Sequence, residues 1–165
     1  MKKMKIVFSL FLMTIAVLSA CNTNNSVTIN EEDGFIAIDE MARIVSVISS
    51  GKETNYTFSV GISSPDTGCN QYANWWEVVT EDGELLYRRI LGHSHVNEQP
   101  FHRSGGTINI LSDQVVIIRA HMNTSGYGTK AFIGTVNSGF KETSLGDDFA
   151  QSLATVNPLP EECAF

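Results

Sequence analysis

The sequence predicts an all-β protein, a seven-stranded antiparallel β-sandwich. Three observations support this prediction. Apolar residues recur with a period of two or in short runs, and glycine-containing turn signals separate these runs at short intervals. The chain of 165 residues is 42% hydrophobic and 18% charged, which is the composition of one globular domain. A small barrel or a jelly roll is the alternative that the same pattern allows.

The strand pattern is found in seven segments. In chain order they are Arg43 to Ser49, Thr54 to Ser63, Tyr72 to Thr80, Glu84 to Leu91, Thr107 to Leu111, Gln114 to Met122 and Lys130 to Asn137. The third and fourth segments are separated by Asp82-Gly83, a strong hairpin signal because glycine accepts the positive φ that a tight turn requires. A loop with two glycines joins the last two segments and predicts a second hairpin.

The region after the seventh strand predicts one short helix and an extended tail. Phe149, Leu153 and Val156 recur at helical spacing behind an aspartate that could cap the helix, within Gly146 to Val156. Two prolines in the following PLPEECAF exclude a long helix there. We therefore expect an extended tail that folds back over the domain.

The number and order of these strands resemble those of immunoglobulin-like and fibronectin type III sandwiches, with a tryptophan on the third strand. The resemblance implies two packed antiparallel sheets. The cysteine and tryptophan spacing of antibody domains is absent, because Cys69 precedes Trp75 and Trp76 too closely and Cys163 follows the last strand.

The N-terminus has the layout of a secretory signal peptide over residues 1–20. Three lysines are followed by an apolar run from Ile6 to Leu18 and then by small residues. The run is too short for a membrane-spanning helix, which needs about 20 apolar residues. Leu18-Ser19-Ala20-Cys21 resembles the lipobox of bacterial lipoproteins, which implies cleavage before Cys21 and acylation of its sulfur and amine.

Acylation of Cys21 would make membrane lipid a partner of the protein. Each buried acyl CH₂ contributes about 0.8 kcal/mol, and two or more chains give stable anchoring. We therefore expect an exported bacterial envelope protein, lipid-anchored to the outer membrane or cell surface; a plain secreted protein is the alternative. Residues 21–33 are polar and rich in asparagine, which predicts a flexible tether before a single domain over residues 34–165.

The charge balance excludes a general affinity for polyanions. Eleven Lys and Arg oppose 18 Asp and Glu, for a formal charge of −7. Removal of the three N-terminal lysines leaves 8 basic and 18 acidic side chains, a formal charge of −10. Nucleic-acid binding needs a basic surface, so we predict no nucleic-acid partner.

Two cysteines remain when Cys21 is acylated. Oxidising conditions outside the cytoplasm favour a Cys69–Cys163 disulfide, which would hold the tail against the domain. Closing a loop of about 95 residues contributes on the order of 4 kcal/mol in the chain-entropy model. Two unlinked buried thiols are the alternative.

Four histidines and one glutamate form the candidate metal site. His93 and His95 would point to the same face of a strand, and Glu98, His102 and His121 could complete a zinc or copper(II) site. The alternative is an exposed connection whose polar side chains bind backbone groups.

The sequence contains none of the common catalytic motifs, such as a Gly-x-Ser-x-Gly elbow, a Walker loop or an HExxH helix. We therefore predict a protein that is not an enzyme and has no obligatory cofactor. The predicted role is a non-catalytic binding or structural module for an envelope protein or glycan. The alternative is a zinc or copper binding protein that uses the His-x-His site.

Overall fold

The structure, a computed structural model, describes residues 41–164. The predicted signal peptide, the lipidation site Cys21 and the tether lie outside the described residues. Within the described chain, no helical segment has the length and hydropathy of a membrane-spanning helix.

Nine strands and one 3-10 helix make up the described chain. They are β1 (Arg43–Lys52), β2 (Asn55–Ser63), β3 (Ala73–Val79), β4 (Leu85–Ile90), β5 (Phe101–Ile108), β6 (Val116–Met122), β7 (Gly126–Tyr127), β8 (Lys130–Thr135), β9 (Gly139–Ser144) and the 3-10 helix Gln151–Thr155. The small sheet has the order β1-β2-β5. The large sheet has the order β4-β3-β6-β8-β9, and β7 pairs with β6.

The antiparallel β-sandwich predicted from the sequence is confirmed. The structure adds β7 and β9 to the seven predicted strands. It also places the fifth strand six residues earlier, and the predicted C-terminal helix is a 3-10 turn of five residues.

The core lies between the two sheets. On β2, Tyr56, Phe58, Val60 and Ile62 face the core, and the residues between them are exposed or half-buried except Gly61, which is buried. Trp76 on β3 is fully buried opposite them in the same cluster. Burying one large apolar side chain contributes about 1.5–3 kcal/mol, so this cluster stabilises the contact between the sheets.

The large sheet is buried on both faces. All seven residues of β3 are buried: Trp76 and Val78 belong to the core, whereas Trp75 and Val79 belong to a second cluster on the outer face. Residues 145–164, which we call the C-terminal strap, cover this outer face, with Leu153 packed in the second cluster. Burial on both faces explains why apolar residues occur on both faces of β3, with Asn74 and Glu77 as its polar residues.

The start of β1 and the connection between β4 and β5 lie at the same end of the sandwich. Arg43 on β1 pairs with Ser63 at the end of β2, and Ile62 pairs with Phe101 at the start of β5. The connection that precedes Phe101 therefore lies at the end where the described chain enters the fold.

Candidate functional site

The histidine loop, residues 92–100, connects β4 to β5 and is organised by a carboxylate that sequence reasoning missed. The Asp66 side chain is fully buried. Its Oδ2 accepts hydrogen bonds from the His95 backbone N–H at 2.8 Å and from Ser94 Oγ at 3.5 Å. Its Oδ1 accepts from Ser64 Oγ at 2.7 Å and from the Ala73 N–H at 2.9 Å. Asp66 thus fixes the histidine loop to the start of β3.

Gln99 fixes the other end of the histidine loop. Its Nε2 donates to the His95 carbonyl at 3.1 Å and to Ser64 Oγ at 3.2 Å. Its Oε1 accepts from the Ser64 N–H at 2.9 Å. The Glu98 N–H also donates to the His95 carbonyl, at 3.1 Å. The loop backbone is therefore held by side chains from both of its flanks.

His95 is the buried centre of this loop. Its side chain is 1% exposed and stacks on Phe101, with ring centroids 3.8 Å apart. Among the described residues, neither ring nitrogen has a hydrogen-bond partner, and Nδ1 lies 3.9 Å from the nearer Asp66 oxygen. Burial, reinforced by the positive charge of Arg103, lowers the pKa of His95 below its ordinary value. His95 is therefore a neutral imidazole near pH 7.

Other side chains of the histidine loop are exposed, among them His93, Val96 and Glu98. His93 lies against His95, with ring centroids 4.5 Å apart, and Val96 is 48% exposed. Glu98 accepts a hydrogen bond from Arg103 at 2.7 Å, which lowers the pKa of Glu98. A shallow cleft of about 320 Å³ lies here, lined by Gly68, Ser94, His95, Val96, Asn97 and Glu98. The loop thus presents polar and apolar groups on a fixed backbone.

The structure brings only part of the predicted metal site together. His93 and His95 are adjacent and Glu98 is on the same loop, where it is paired with Arg103. His102 lies on the outer face of the small sheet, where its Nε2 is 3.1 Å from Ser46 Oγ. Within residues 41–164, no group of three or more His, Cys, Asp and Glu side chains has an arrangement that could hold a metal ion.

His121, the fifth predicted ligand, lies on the large sheet and has a different environment. Its Nδ1 is 2.7 Å from Asn74 Oδ1, and its ring stacks on Trp75 with centroids 3.7 Å apart. Burial and the nearby charges of Arg88 and Arg119 lower the pKa of His121 to about 3. His121 is therefore neutral at physiological pH and is packed as an aromatic ring.

A buried charged cluster lies on the same outer face. Glu77 is fully buried and accepts hydrogen bonds from two guanidinium groups. Arg88 donates to Oε2 from Nε at 2.8 Å and from Nη2 at 2.6 Å. Arg119 donates from Nε to Oε1 at 2.9 Å. Both oxygens of Glu77 are therefore occupied, and the cluster carries one net positive charge.

The two arginines bind the C-terminal strap. Arg88 donates to the carbonyls of Leu153, Val156 and Pro158 at 2.5–3.0 Å. Arg119 donates to the carbonyls of Phe149 and Ala150 at 2.7 and 2.9 Å. The strap has little regular structure of its own. Five of its backbone carbonyls accept hydrogen bonds from these two arginines of the large sheet instead. The sequence signal for this arrangement is Arg119, a charged residue within the largely apolar segment VVIIRAHM.

The end of the strap returns to the histidine loop. The predicted Cys69–Cys163 disulfide is confirmed, with the two Cα atoms 5.6 Å apart. The next residue, Ala164, donates its N–H to the Gly92 carbonyl at 2.6 Å. The disulfide therefore connects the strap, the loop that carries Asp66 and the start of the histidine loop.

Comparison with known proteins gives one similarity. The chain is 41% identical over 83 residues to a protein of Halomicrobium mukohataei named "Putative lipoprotein". The match covers 50% of this chain and 40% of the relative, so the chain matches less than half of the relative's length. No family model and no solved structure matches the chain.

Proposed function

We propose that this chain is a lipid-anchored envelope protein, held at the outer membrane or cell surface by acylation of Cys21. The lipobox-like Leu18-Ser19-Ala20-Cys21 and the similarity to a protein named as a lipoprotein support this assignment. Mass spectrometry of the native protein tests it. The expected N-terminus is an acylated Cys21, and Cys21→Ser should abolish the added mass. An intact Met1 without lipid would contradict the proposal.

The sandwich serves as a non-catalytic binding module, and the histidine loop is its recognition element. The single observation that supports this role is that the exposed His93, Val96 and Asn97 are carried on a backbone fixed by the buried Asp66. A loop fixed on a rigid scaffold loses little conformational entropy on binding. The partner is an envelope protein or a glycan, because an acidic chain disfavours polyanions.

Site-specific photocrosslinking in cells tests the binding role. A photoreactive residue at Val96, which is 48% exposed, should give a discrete adduct. The matched control is Leu111, 53% exposed and outside the histidine loop. The adduct at position 96 should weaken in Asp66→Asn, which disturbs the loop backbone. Equal labelling from positions 96 and 111 would contradict the proposal. A glycan array probed with the chain carrying Cys21→Ser tests whether the partner is a glycan.

Zinc or copper binding is the second candidate function. The observation that favours it is the adjacency of the His93 and His95 rings together with the unpartnered nitrogens of His95. Calorimetric titration with Zn²⁺ and Cu²⁺ should then show stoichiometric binding that His93→Ala and His95→Ala abolish. His102→Ala is the matched control, because its ring binds Ser46 elsewhere. Absence of binding at micromolar metal would exclude this function.

A further inference from the structure

The histidine loop is held from two directions. Asp66, in the connection between β2 and β3, accepts hydrogen bonds from the loop at Ser94 and His95. Ala164, in the strap, donates to Gly92, the residue before His93. The loop is therefore restrained both at its start and at its buried centre.

The disulfide joins these two restraints. Cys69 lies three residues after Asp66, in a turn closed by the Gln71 N–H to Gly68 carbonyl bond at 3.0 Å. Cys163 immediately precedes Ala164. Both cysteines are half-buried and lie outside the two buried apolar clusters.

The strap is well anchored before this point and weakly anchored after it. Arg88 binds the carbonyls of Val156 and Pro158. From Leu159 to Ala164, the hydrogen bond to Gly92 is the one backbone bond found in the described chain. Ordering six residues costs more free energy than one exposed hydrogen bond returns. Without the disulfide, residues 159–164 should therefore leave the surface while the rest of the strap stays in place.

We propose that the Cys69–Cys163 disulfide is a redox clasp that controls the rigidity of the histidine loop. A dithiol reductant transfers two electrons and two protons to the disulfide, which becomes two thiols, while the reductant becomes a disulfide. The tail then releases Gly92, and the loop start becomes mobile. This inference concerns regulation of the site assigned under the proposed function, and its relevance to binding rests on that function.

Hydrogen exchange tests the clasp without any binding partner. The full chain carrying Cys21→Ser is labelled briefly before and after treatment with dithiothreitol. Exchange of residues 92–94, at the loop start, should rise at least threefold on reduction, while the His95 N–H bound to Asp66 and the strand signals stay protected. In Cys163→Ser, exchange in the loop should be equally fast with and without dithiothreitol.

A variant that keeps the disulfide tests the route through Gly92. Ala164→Pro removes the N–H donor, so its oxidised form should exchange in the loop as fast as the reduced parent chain. Three outcomes would each overturn the proposal. The first is that reduction leaves hydrogen exchange in the loop unchanged. The second is that the strand amides lose protection together with the loop amides, and the third is that the loop stays protected in oxidised Ala164→Pro. None of these outcomes depends on whether the photocrosslinking experiment finds a partner.

Discussion

At the scale of single residues, the molecule stabilises charge in places that water does not reach. Glu77 binds Arg88 and Arg119 beneath the strap, and all three side chains are at most 1% exposed. The sequence places Glu77 and Arg88 on the two segments that the Asp82-Gly83 hairpin signal joins, which allows a pair across the hairpin. It does not predict that the pair is buried, because burial comes from a strap that is distant in sequence. Asp66 was missed for a similar reason, since its partners are backbone groups of another loop.

Removing the charge of Glu77 should destabilise the fold strongly. Glu77→Gln leaves two buried guanidinium groups without a counter-ion, which costs about 3–5 kcal/mol. Urea unfolding of the parent and variant chains measures the difference. Glu142→Gln, an exposed change on β9, is the control and should alter stability by less than about 0.5 kcal/mol. Equal stability of the two variants would show that the cluster is not needed.

His121 should make stability depend on pH. Its pKa is about 3 in the folded chain and near 6.5 when unfolded, so the unfolded chain binds the proton first as pH falls. The free energy of unfolding should therefore decline from about pH 6.5 toward pH 3, by roughly 4 kcal/mol in total. His121→Gln should remove most of this dependence between pH 7 and pH 4. An unchanged pH profile in the variant would argue against a buried neutral His121.

At the scale of elements, strands with a clear turn signal or a regular alternation were predicted and the others were not. Asp82-Gly83 located the β3–β4 hairpin. For β5, Arg103 and Gly105 share the inward face of Phe101, so a charged residue and a glycine occupy positions where an apolar residue would mark the alternation. The edge strand β9 has one large apolar residue, Phe140, and β7 has only two residues. Such strands form because a neighbouring strand supplies hydrogen-bond partners. That neighbour cannot be identified from the sequence of the strand itself.

Gly105 allows the two sheets to approach each other. An added Cβ would lie 2.6 Å from the Tyr87 hydroxyl and 2.9 Å from Trp76. Gly105→Ala should therefore destabilise the sandwich by about 1–3 kcal/mol, measured by urea unfolding. Gly92→Ala is the control, because a Cβ there meets no atom of residues 41–164 within 4 Å. Similar effects of both substitutions would mean that Gly105 has no packing role.

At the scale of the whole molecule, the strap turns a two-layer sandwich into one with a third, irregular layer. The sequence predicts a tail folded back and a Cys69–Cys163 bond, both of which the structure contains. The structure shows which face the strap covers: the outer face of β3, where Trp75 and Val79 are apolar and Glu77 is charged. The predicted metal cluster brought together residues that the fold places on two different sheets and a loop.

Loss of the disulfide should lower global stability. Cys163→Ser removes a cross-link between residues 94 positions apart, which is expected to reduce the free energy of unfolding by about 2–4 kcal/mol. Unfolding of the oxidised parent and of the variant, both carrying Cys21→Ser, measures this effect. The parent in dithiothreitol should match the variant. A variant as stable as the oxidised parent would mean that the bond acts on the tail alone.

The pairing of Arg43 with Ser63 has a geometric consequence for an anchored protein. The histidine loop lies at the end of the sandwich where the described chain enters the fold. Under the proposed acylation of Cys21, twenty residues separate the lipid from Met41, and a chain of that length spans at most roughly 70 Å. The proposed anchor and the proposed binding role together then predict partners close to the same membrane.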